Sequence, residues 1–327
     1  MTDTLAPSDL APLKRILGIS ALGPFAALVL ACAFFAIKSD TFFTGTNLSL
    51  IVQQTVEVGT IAIGQTLIIL TAGIDLSCGA AMSLAMVVMT RLAVKDGVPP
   101  LLAMAIGVGI GTLVGVLNGS LVAWIRLPAF IVTLGTLGIA FSLTHIYSED
   151  ETMLDLPSSM TWLGNTFKVA GTEITYGSVA MVLLYAVVWF FLGQTATGRR
   201  IFALGDNPEA VRLAGVRTRR LLLGIYASAG FIYGLAAVLL VARTGAGDPN
   251  AGQNDNLDSI TAVVLGGTSL FGGRGTIIGT LIGALVVTVV RNGLIQIDTD
   301  SIYQVLITGI LVILAVALDQ LTRRRRA

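Results

Sequence analysis

The stretch LLAMAIGVGIGTLVGVLNGSLVA, residues 101–123, contains 23 consecutive residues and no charged side chain. A helix needs about 20 apolar residues to cross the ~30 Å hydrocarbon core of a bilayer, so this stretch predicts a transmembrane helix. The whole chain has the same character: of its 327 residues, 54% are hydrophobic and 12% are charged, and the mean hydropathy is +0.86. Because soluble domains contain about 25% charged residues, this composition excludes a soluble globular protein and predicts one that crosses a membrane several times.

Apolar stretches of comparable length recur along the chain and predict an all-α polytopic membrane protein with about ten transmembrane helices. The eighth stretch has only 12 residues, too few for a straight crossing. We therefore expect one short broken helix near 259–270, shielded from lipid by the rest of the protein. The predicted spans are 16–37, 48–71, 77–94, 100–123, 129–147, 176–193, 221–242, 259–270, 276–297 and 302–319.

The distribution of charge predicts the orientation of these spans. The connection 194–220 contains six arginines and two acidic residues, a net charge of +4, whereas the connection 148–174 contains one lysine and five acidic residues, a net charge of −4. Basic residues collect on the cytoplasmic side of membrane proteins. We therefore expect both termini in the cytoplasm, with a tail at 1–15, a transmembrane domain at 16–319 and a basic tail at 320–327.

Part of the first stretch recurs in the second half of the chain. GIGTLVGVLNG (109–119) and GRGTIIGTLIG (273–283) are identical at six of eleven positions, and both repeat glycine at every fourth residue. This spacing bares the backbone on one helix face, so that a neighbouring helix can pack closely. The glycines expected in such contacts are Gly111, Gly115, Gly119, Gly275, Gly279 and Gly283.

The repeat extends to acidic residues near two predicted helix starts. Asp75 in TAGIDLSCGA (71–80) and Asp258 in QNDNLDSITA (253–262) are placed where a carboxylate can cap free backbone N–H groups. Together these matches map spans two to five onto spans seven to ten. Because the offset of five spans is odd, the two halves cross the membrane in opposite directions, and such inverted repeats are a transporter architecture.

The basic connection contains the signature of a short helix outside the membrane. In GDNPEAVRLAG (205–215), Asn207 suits a helix cap, Pro208 the first helical position and Gly215 the stop, which predicts a helix at about 208–214. Two turns of helix are not stable alone in water. The small apolar residues of this helix therefore favour one of two partners, lipid headgroups or a groove on another protein.

The chain lacks the motifs by which proteins hydrolyse ATP or hold a catalytic metal, since neither GxxxxGK[ST] nor HExxH occurs. Its two cysteines, Cys32 and Cys78, form neither a disulfide framework nor a metal-binding CxxC pair. We therefore expect no catalytic residue, metal or cofactor on this chain. If transport is driven by ATP, then ATP and Mg must bind a partner ATPase that contacts the basic connection.

Three motifs give the chain a resemblance to a known family. LTAGIDLSCGA (70–80), GRRIFALGDNPEAVRLAGV (198–216) and NLDSITAVVLGGTSLFGGRGTIIGTLIGA (256–284) resemble the ribose-type sugar permeases of bacterial ABC importers. These proteins belong to the superfamily of branched-chain amino-acid/ribose permeases that depend on a binding protein. The resemblance covers roughly residues 45–320.

The resemblance implies a permease subunit in the bacterial inner membrane that imports a monosaccharide, either a pentose or a hexose. It implies three protein partners and no nucleic acid: a second permease (a copy or a paralogue), ATPase subunits, and an extracytoplasmic sugar-binding protein that meets outward loops such as 148–174 and 244–258. It also implies that 207–215 is the coupling helix that contacts the ATPase. The residues of that helix are Asn207, Pro208, Glu209, Ala210, Val211, Arg212, Leu213, Ala214 and Gly215.

Polar side chains at membrane depth are candidates for a translocation pathway, because such groups are costly in hydrocarbon unless they face protein or water. Gln53, Gln54 and Glu57 lie within about one turn on the second span, and Gln65 follows two turns later. This stripe could line an aqueous path, or Glu57 could pair with a donor on a neighbouring helix and fix the packing. Asn118 is a further pathway candidate, although its position among the glycines favours a bridge between helices.

An ion-coupled carrier of a small polar solute is the alternative to an ATP-driven importer, because inverted repeats occur in both. Such a carrier would use Glu57, the only clear acid at depth. A membrane enzyme is disfavoured, because the apolar spans contain no cluster of His, Asp and Glu and no Ser/His pair.

Overall fold

The computed structural model describes residues 22–169 and 172–324. Helices α1 to α5 are Leu22–Lys38, Gly45–Ile69, Cys78–Val94, Pro100–Ser120 and Ala129–Ser148, and a π-helical turn at Leu121–Ile125 extends α4. A short helix α6 (Ser158–Thr161), a 3-10 turn (Trp162–Gly164) and a hairpin of β1 (Thr166–Val169) and β2 (Thr172–Thr175) follow. Helices α7 to α13 are Tyr176–Gln194, Ala196–Asp206, Pro208–Leu213, Thr218–Thr244, Asp255–Leu265, Ile277–Gln296 and Ser301–Arg324.

Five of the described helices are long and apolar enough, by length and composition, to cross a membrane. They are α4 with its π-helical turn (Pro100–Ile125), α5, α7, α10 and α12; α1, α3 and the Ile302–Leu311 part of α13 are apolar but shorter. Every predicted span overlaps a helix, although residues 16–21 of the first span lie outside the described residues. The helix at the predicted span 259–270 is shifted, because it begins at Asp255 and ends at Leu265. The predicted all-α polytopic fold is therefore confirmed.

Two spans, not one, are broken. Helix α11 has 11 residues, as its short apolar stretch predicts, but α3 also has only 17 residues, about 26 Å of helix. Non-helical segments at 70–77 and 245–254 precede these helices, and the two helix starts meet. A Cβ on Gly79 would overlap the carbonyl oxygen of Gly252, and Cys78 Sγ lies 3.5 Å from Ser259 Oγ.

The packing of the helices confirms the internal repeat. In the first half, α3 packs on α4 and α5, and in the second half α11 packs on α12 and α13 in the same way. The contacts between the halves also correspond: α4 packs on α10 as α12 packs on α2, and α3 packs on α10 as α11 packs on α2. Helices α2 and α10 run antiparallel, because Gly64 packs on Tyr233 whereas Glu57, earlier in α2, reaches Arg243, later in α10. The first helices of the two halves thus have opposite directions, as an inverted repeat requires.

The centre of the molecule is formed by α2, α3, α10 and α12. In the most apolar 18 residues of each helix, 78% of residues are buried in α10 and 72% in α12, against 22% in α5. One face of α5 is therefore exposed and available to lipid or to another chain.

The glycine match that suggested the repeat is out of register in the structure. Helices α3 and α11 begin 177 residues apart, as do α4 and α12, whereas the match of 109–119 with 273–283 requires an offset of 164 residues. Gly111 and Gly115 pack in the second half of α4 against the backbone of α10, but Gly279 and Gly283 pack at the start of α12 against the backbone of α11. Both places need close backbone contact, and this shared need, not equivalence in the repeat, explains the match.

Gly275 does not take part in helix packing, so that prediction is wrong. It lies in the turn before α12, with no room for a side chain beside Thr268. Gly119 packs on Leu223 and Tyr226 of α10, so five of the six predicted glycines do lie in close helix contacts.

Gly115→Ala is expected to destabilise the protein, because the added Cβ would overlap the carbonyl oxygen of Tyr226. Overpacking of this kind costs about 1–3 kcal/mol of unfolding free energy. Gly109 is the matched control, since it lies on the same helix with no atom within 4 Å of its Cβ position. Thermal unfolding in detergent should show a loss for Gly115→Ala and none for Gly109→Ala; equal effects would contradict the packing described here.

Candidate functional site

A polar cavity of about 420 Å³ lies between α2, α12 and the segment 250–255 that leads into α11. It is in the half of the molecule remote from α9, because it is lined by the end of α10 and by the second half of α12. Four charged residues line it, namely Glu57, Arg243, Asp255 and Arg291, together with the amide side chains of Gln54, Asn250, Gln253 and Asn254. A cavity of this size is typical of sites for small molecules.

Two ion pairs hold charged side chains of this cavity in place. Glu57 Oε2 accepts a hydrogen bond of 2.6 Å from Arg243 Nη2, which joins α2 to α10. Asp258 Oδ2 lies 3.4 Å from Arg291 Nη1, which joins α11 to α12. The side chains of Glu57 and Arg243 are 16% and 28% exposed, so the first pair is shielded from bulk water but not closed off.

Two buried polar atoms of the cavity, Gln54 Oε1 and Arg243 Nε, have no hydrogen-bond partner among the described residues. The carboxyl group of Asp255, which is 4% exposed, lies within hydrogen-bond reach of the Glu57 carboxyl group. Unsatisfied buried groups cost about 1–3 kcal/mol each, so Gln54 Oε1 and Arg243 Nε favour polar partners.

A second cavity of about 310 Å³ lies on the other side of the same segment. It is bounded by α3, by Phe141 and Thr144 of α5, and by Asn256 of α11. Residues 251–254 line both cavities. This non-helical segment therefore borders both cavities beside the crossing of the broken spans.

The structure places two of the five predicted pathway residues, Gln54 and Glu57, on the polar cavity. Gln53 donates to Ser49 Oγ one turn earlier, and Gln65 is fully buried, where its Oε1 accepts a bond of 3.4 Å from Tyr233. Neither is among the lining residues described for the cavity.

Asn118 bridges elements and does not line the polar cavity. It is fully buried, its Nδ2 donates to Ser77 Oγ at 2.9 Å, and its Oδ1 accepts from Thr136 Oγ1 at 2.6 Å. The expected bridge is confirmed, and the pathway role is not supported.

Sequence reasoning missed Arg243 and Asp255. The partner of Glu57 is 186 residues away along the chain, and no local pattern indicates such a distant pair. A signal did exist for Asp255, because it is one of two acidic residues in the first turn of the short helix α11.

Neither Asp75 nor Asp258 caps a helix, so both cap predictions are wrong. The caps of α3 and α11 are Ser77 and Asn254, and neither makes a side-chain capping bond in the described structure. Asp75 lies before α3 and accepts bonds from the backbone N and the Oγ of Ser77. Asp258 lies inside the first turn of α11, where it pairs with Arg291.

The predicted short helix is present as α9. Asn207 Oδ1 accepts a bond of 3.0 Å from Ala210 N, and Gly215 has a φ of +82°, a conformation that suits glycine and ends the helix. Of residues 207–215 only Val211 is buried, and the side chain of Leu213 is 74% exposed. The Arg212 guanidinium lowers the pKa of Glu209 through their exposed hydrogen bonds.

Helix α8, which the sequence analysis did not predict, ties α9 to both broken spans. A Cβ on Gly205, near the end of α8, would overlap the carbonyl oxygen of Leu70 and lie 2.5 Å from Gly273 N. Gly273 N itself donates to that carbonyl at 3.0 Å. Leu70 opens the segment before α3, and Gly273 lies in the segment after α11, so one three-way contact joins the loop to both.

The chain matches a protein family over residues 47–316, described as the permease component of branched-chain amino acid transport systems. It is 46% identical to a fructose import permease protein of Rhizobium meliloti, covering 92% of this chain and 85% of that protein. Ribose import permease proteins of Bacillus subtilis and Escherichia coli are each 37% identical; they cover 91% and 90% of this chain, and 92% and 91% of their own lengths. No solved structure matches the chain.

A double-mutant cycle tests the Glu57–Arg243 pair. Glu57→Gln or Arg243→Gln alone leaves a part-buried ion without its counter-charge, so each should lower the free energy of unfolding by about 1–3 kcal/mol. The double variant should lose less than the sum of the two. Thermal unfolding in detergent measures this, with the pair Arg91–Glu149 as control, because Glu149 is 62% exposed and exposed pairs contribute under about 1 kcal/mol. Additive losses at Glu57 and Arg243 would contradict the pairing.

Proposed function

Because the chain belongs to the family of permease components of branched-chain amino acid transport systems, we propose that it is the membrane subunit of an importer for a monosaccharide. The observation that carries this proposal is its similarity to permease proteins named for fructose and ribose import, each over about nine-tenths of this chain. None of these relatives supports an ion-coupled carrier. In addition, Glu57, the acid that such a carrier would need, forms an ion pair with Arg243.

ATP hydrolysis would take place on a separate subunit that docks at α9. A short helix with a single buried residue, Val211, has almost its whole surface available to a partner. Ala210, Leu213 and Ala214 supply apolar contacts on that surface, and Glu209 and Arg212 supply charge. ATP and Mg would belong to this ATPase, and no cofactor would bind the present chain.

The α8–α9 unit is placed to pass movement on to the broken spans. Gly205 fits between Leu70 and Gly273 without space for even a methyl group, so a movement of α8 towards these segments would displace both. Closure of the ATPase would therefore change the relation between α3 and α11, whose first turns both border the second cavity. Alternating exposure of a site at the repeat interface is the usual mode of such transporters.

The opposite side of the molecule would receive an extracytoplasmic sugar-binding protein. Its acidic loop is held to α3 by Arg91–Glu149 and Lys95–Glu151 ion pairs, and the Lys95 ammonium lowers the pKa of Glu151. Met153 pairs with Gly247 across two loops, so these loops form one connected surface. Their negative charge, with the arginines of 194–220 on the other side, supports cytoplasmic termini and residence in the inner membrane. The exposed face of α5 leaves room for a second permease, identical or related.

Reconstitution tests the proposed function. The chain is placed in lipid vesicles with its cognate ATPase and binding protein, and uptake of labelled D-fructose and D-ribose is followed with and without ATP. We expect ATP-dependent uptake of at least one of these sugars by the complete assembly and none by the chain alone. Uphill transport by the chain alone, or no uptake of either sugar by the complete assembly, would overturn the proposal.

Leu213→Asp tests the docking of the ATPase at α9. A charge at this exposed apolar position should weaken ATPase binding at least tenfold, a loss of about 1.4 kcal/mol, and reduce uptake accordingly. Leu213→Met keeps the apolar contact and is the control. Because the side chain is 74% exposed, neither change should alter the thermal unfolding of the chain. Co-purification of the ATPase with Leu213→Asp at the wild-type level would contradict docking at this helix.

A further inference from the structure

We infer that the polar cavity beside Glu57 is a binding site for the hydroxyl groups of the transported sugar, with Asp255, Gln54 and Arg243 as its hydrogen-bonding residues. The inference rests on the proposed function, because it assigns a role in sugar transport to a site within this chain. It concerns the permease itself and not the binding protein that delivers the solute.

The chemistry of the unpartnered atoms selects the class of ligand. Gln54 Oε1 accepts a hydrogen bond, whereas Arg243 Nε donates one. The Asp255 carboxyl group shares a hydrogen bond with Glu57 and keeps lone pairs that can accept a further one. A simple anion would leave the acceptors unsatisfied, and a metal cation would leave the arginine donor unsatisfied. A hydroxyl group both donates and accepts, so neighbouring hydroxyls on one neutral sugar can satisfy all three side chains.

The cavity holds these atoms in fixed positions, which reduces the entropy lost when a ligand binds. Arg243 is fixed through its Nη2 by Glu57, which leaves Nε for another partner. Asp255 begins α11, its backbone N donates to Gly252 O at 3.2 Å, and Gly252 is itself packed against Gly79. The site is thus built on the crossing of the two broken spans.

The remaining walls and the opening also suit a monosaccharide. Val58, Val287 and Ile295 form an apolar side against which the C–H groups of a sugar ring can pack. Access comes from the side remote from α9, where Arg291 is half exposed at 52%. The volume of about 420 Å³ accommodates one small solute with water around it.

Direct binding tests the inference on the purified full-length chain in detergent, without the binding protein. The probe is whichever of D-ribose and D-fructose the complete assembly imports, and equilibrium dialysis with labelled sugar gives the affinity. We expect weak, saturable binding that Asp255→Ala and Gln54→Ala each weaken about tenfold, as the loss of one good hydrogen bond predicts. Asp40→Ala is the matched control, because Asp40 is an exposed acid in the turn between α1 and α2, and it should bind as the wild type does.

The outcomes separate this inference from the proposed function. If the assembly imports the probe but the purified chain does not bind it, or binds it equally well with Ala at 255 and at 54, the binding site is overturned and the importer stands. If the assembly imports neither sugar, the proposed function itself fails. Thermal unfolding of each variant shows whether it is folded, and Gln54→Ala provides the test should Asp255→Ala not fold. A deoxy analogue that lacks one hydroxyl should bind more weakly than the probe, whereas equal binding would contradict recognition through hydroxyls.

Discussion

The structure depends on satisfying the backbone of two non-helical segments, 70–77 and 245–254, because buried N–H and C=O groups without a partner are costly. Other elements supply those partners. Each unmade hydrogen bond in such a place would cost about 1–3 kcal/mol, so the broken spans need neighbouring helices that supply hydrogen-bond partners. The bonds are Thr133 Oγ1 to Ile74 O at 3.1 Å, Asn256 Nδ2 to Leu76 O at 3.4 Å and Ser83 Oγ to Pro249 O at 3.2 Å.

The position of the polar cavity follows from the same constraint. Where a helix begins inside the protein, its first N–H groups and the preceding loop need hydrogen-bond partners. Acidic residues are stabilised there by the helix dipole. Asp255 and Asp258 occupy the first turn of α11 for this reason. Arg291 pairs with Asp258, and Arg243 pairs with Glu57 from α2. A charged cluster is thus tolerated within the membrane domain where the spans are broken.

The sequence predicted the features whose causes are local. Helix α9 was predicted because its cap, its first proline and its terminal glycine lie within nine residues, and the spans were predicted because apolar length is a local property. The break before α3 was missed, since its apolar residues alone resemble a complete span. The register of the repeat was wrong because glycine serves close packing at any helix crossing. The pairing of Glu57 with Arg243 could not be predicted, because the fold alone brings the two residues together.

The contact at Gly205 joins the two halves of the repeat. Leu70 and Gly273 belong to different halves, so a displacement of α8 would act on both halves at once. Leu70 precedes α3 and Gly273 follows α11, and these two spans meet again where Gly79 of α3 contacts Gly252 in the segment before α11. Close-packed interiors transmit strain, so in the proposed mechanism a movement of α8 would reach this crossing. Because residues 251–254 line both cavities, a rearrangement of the crossing would alter both of them.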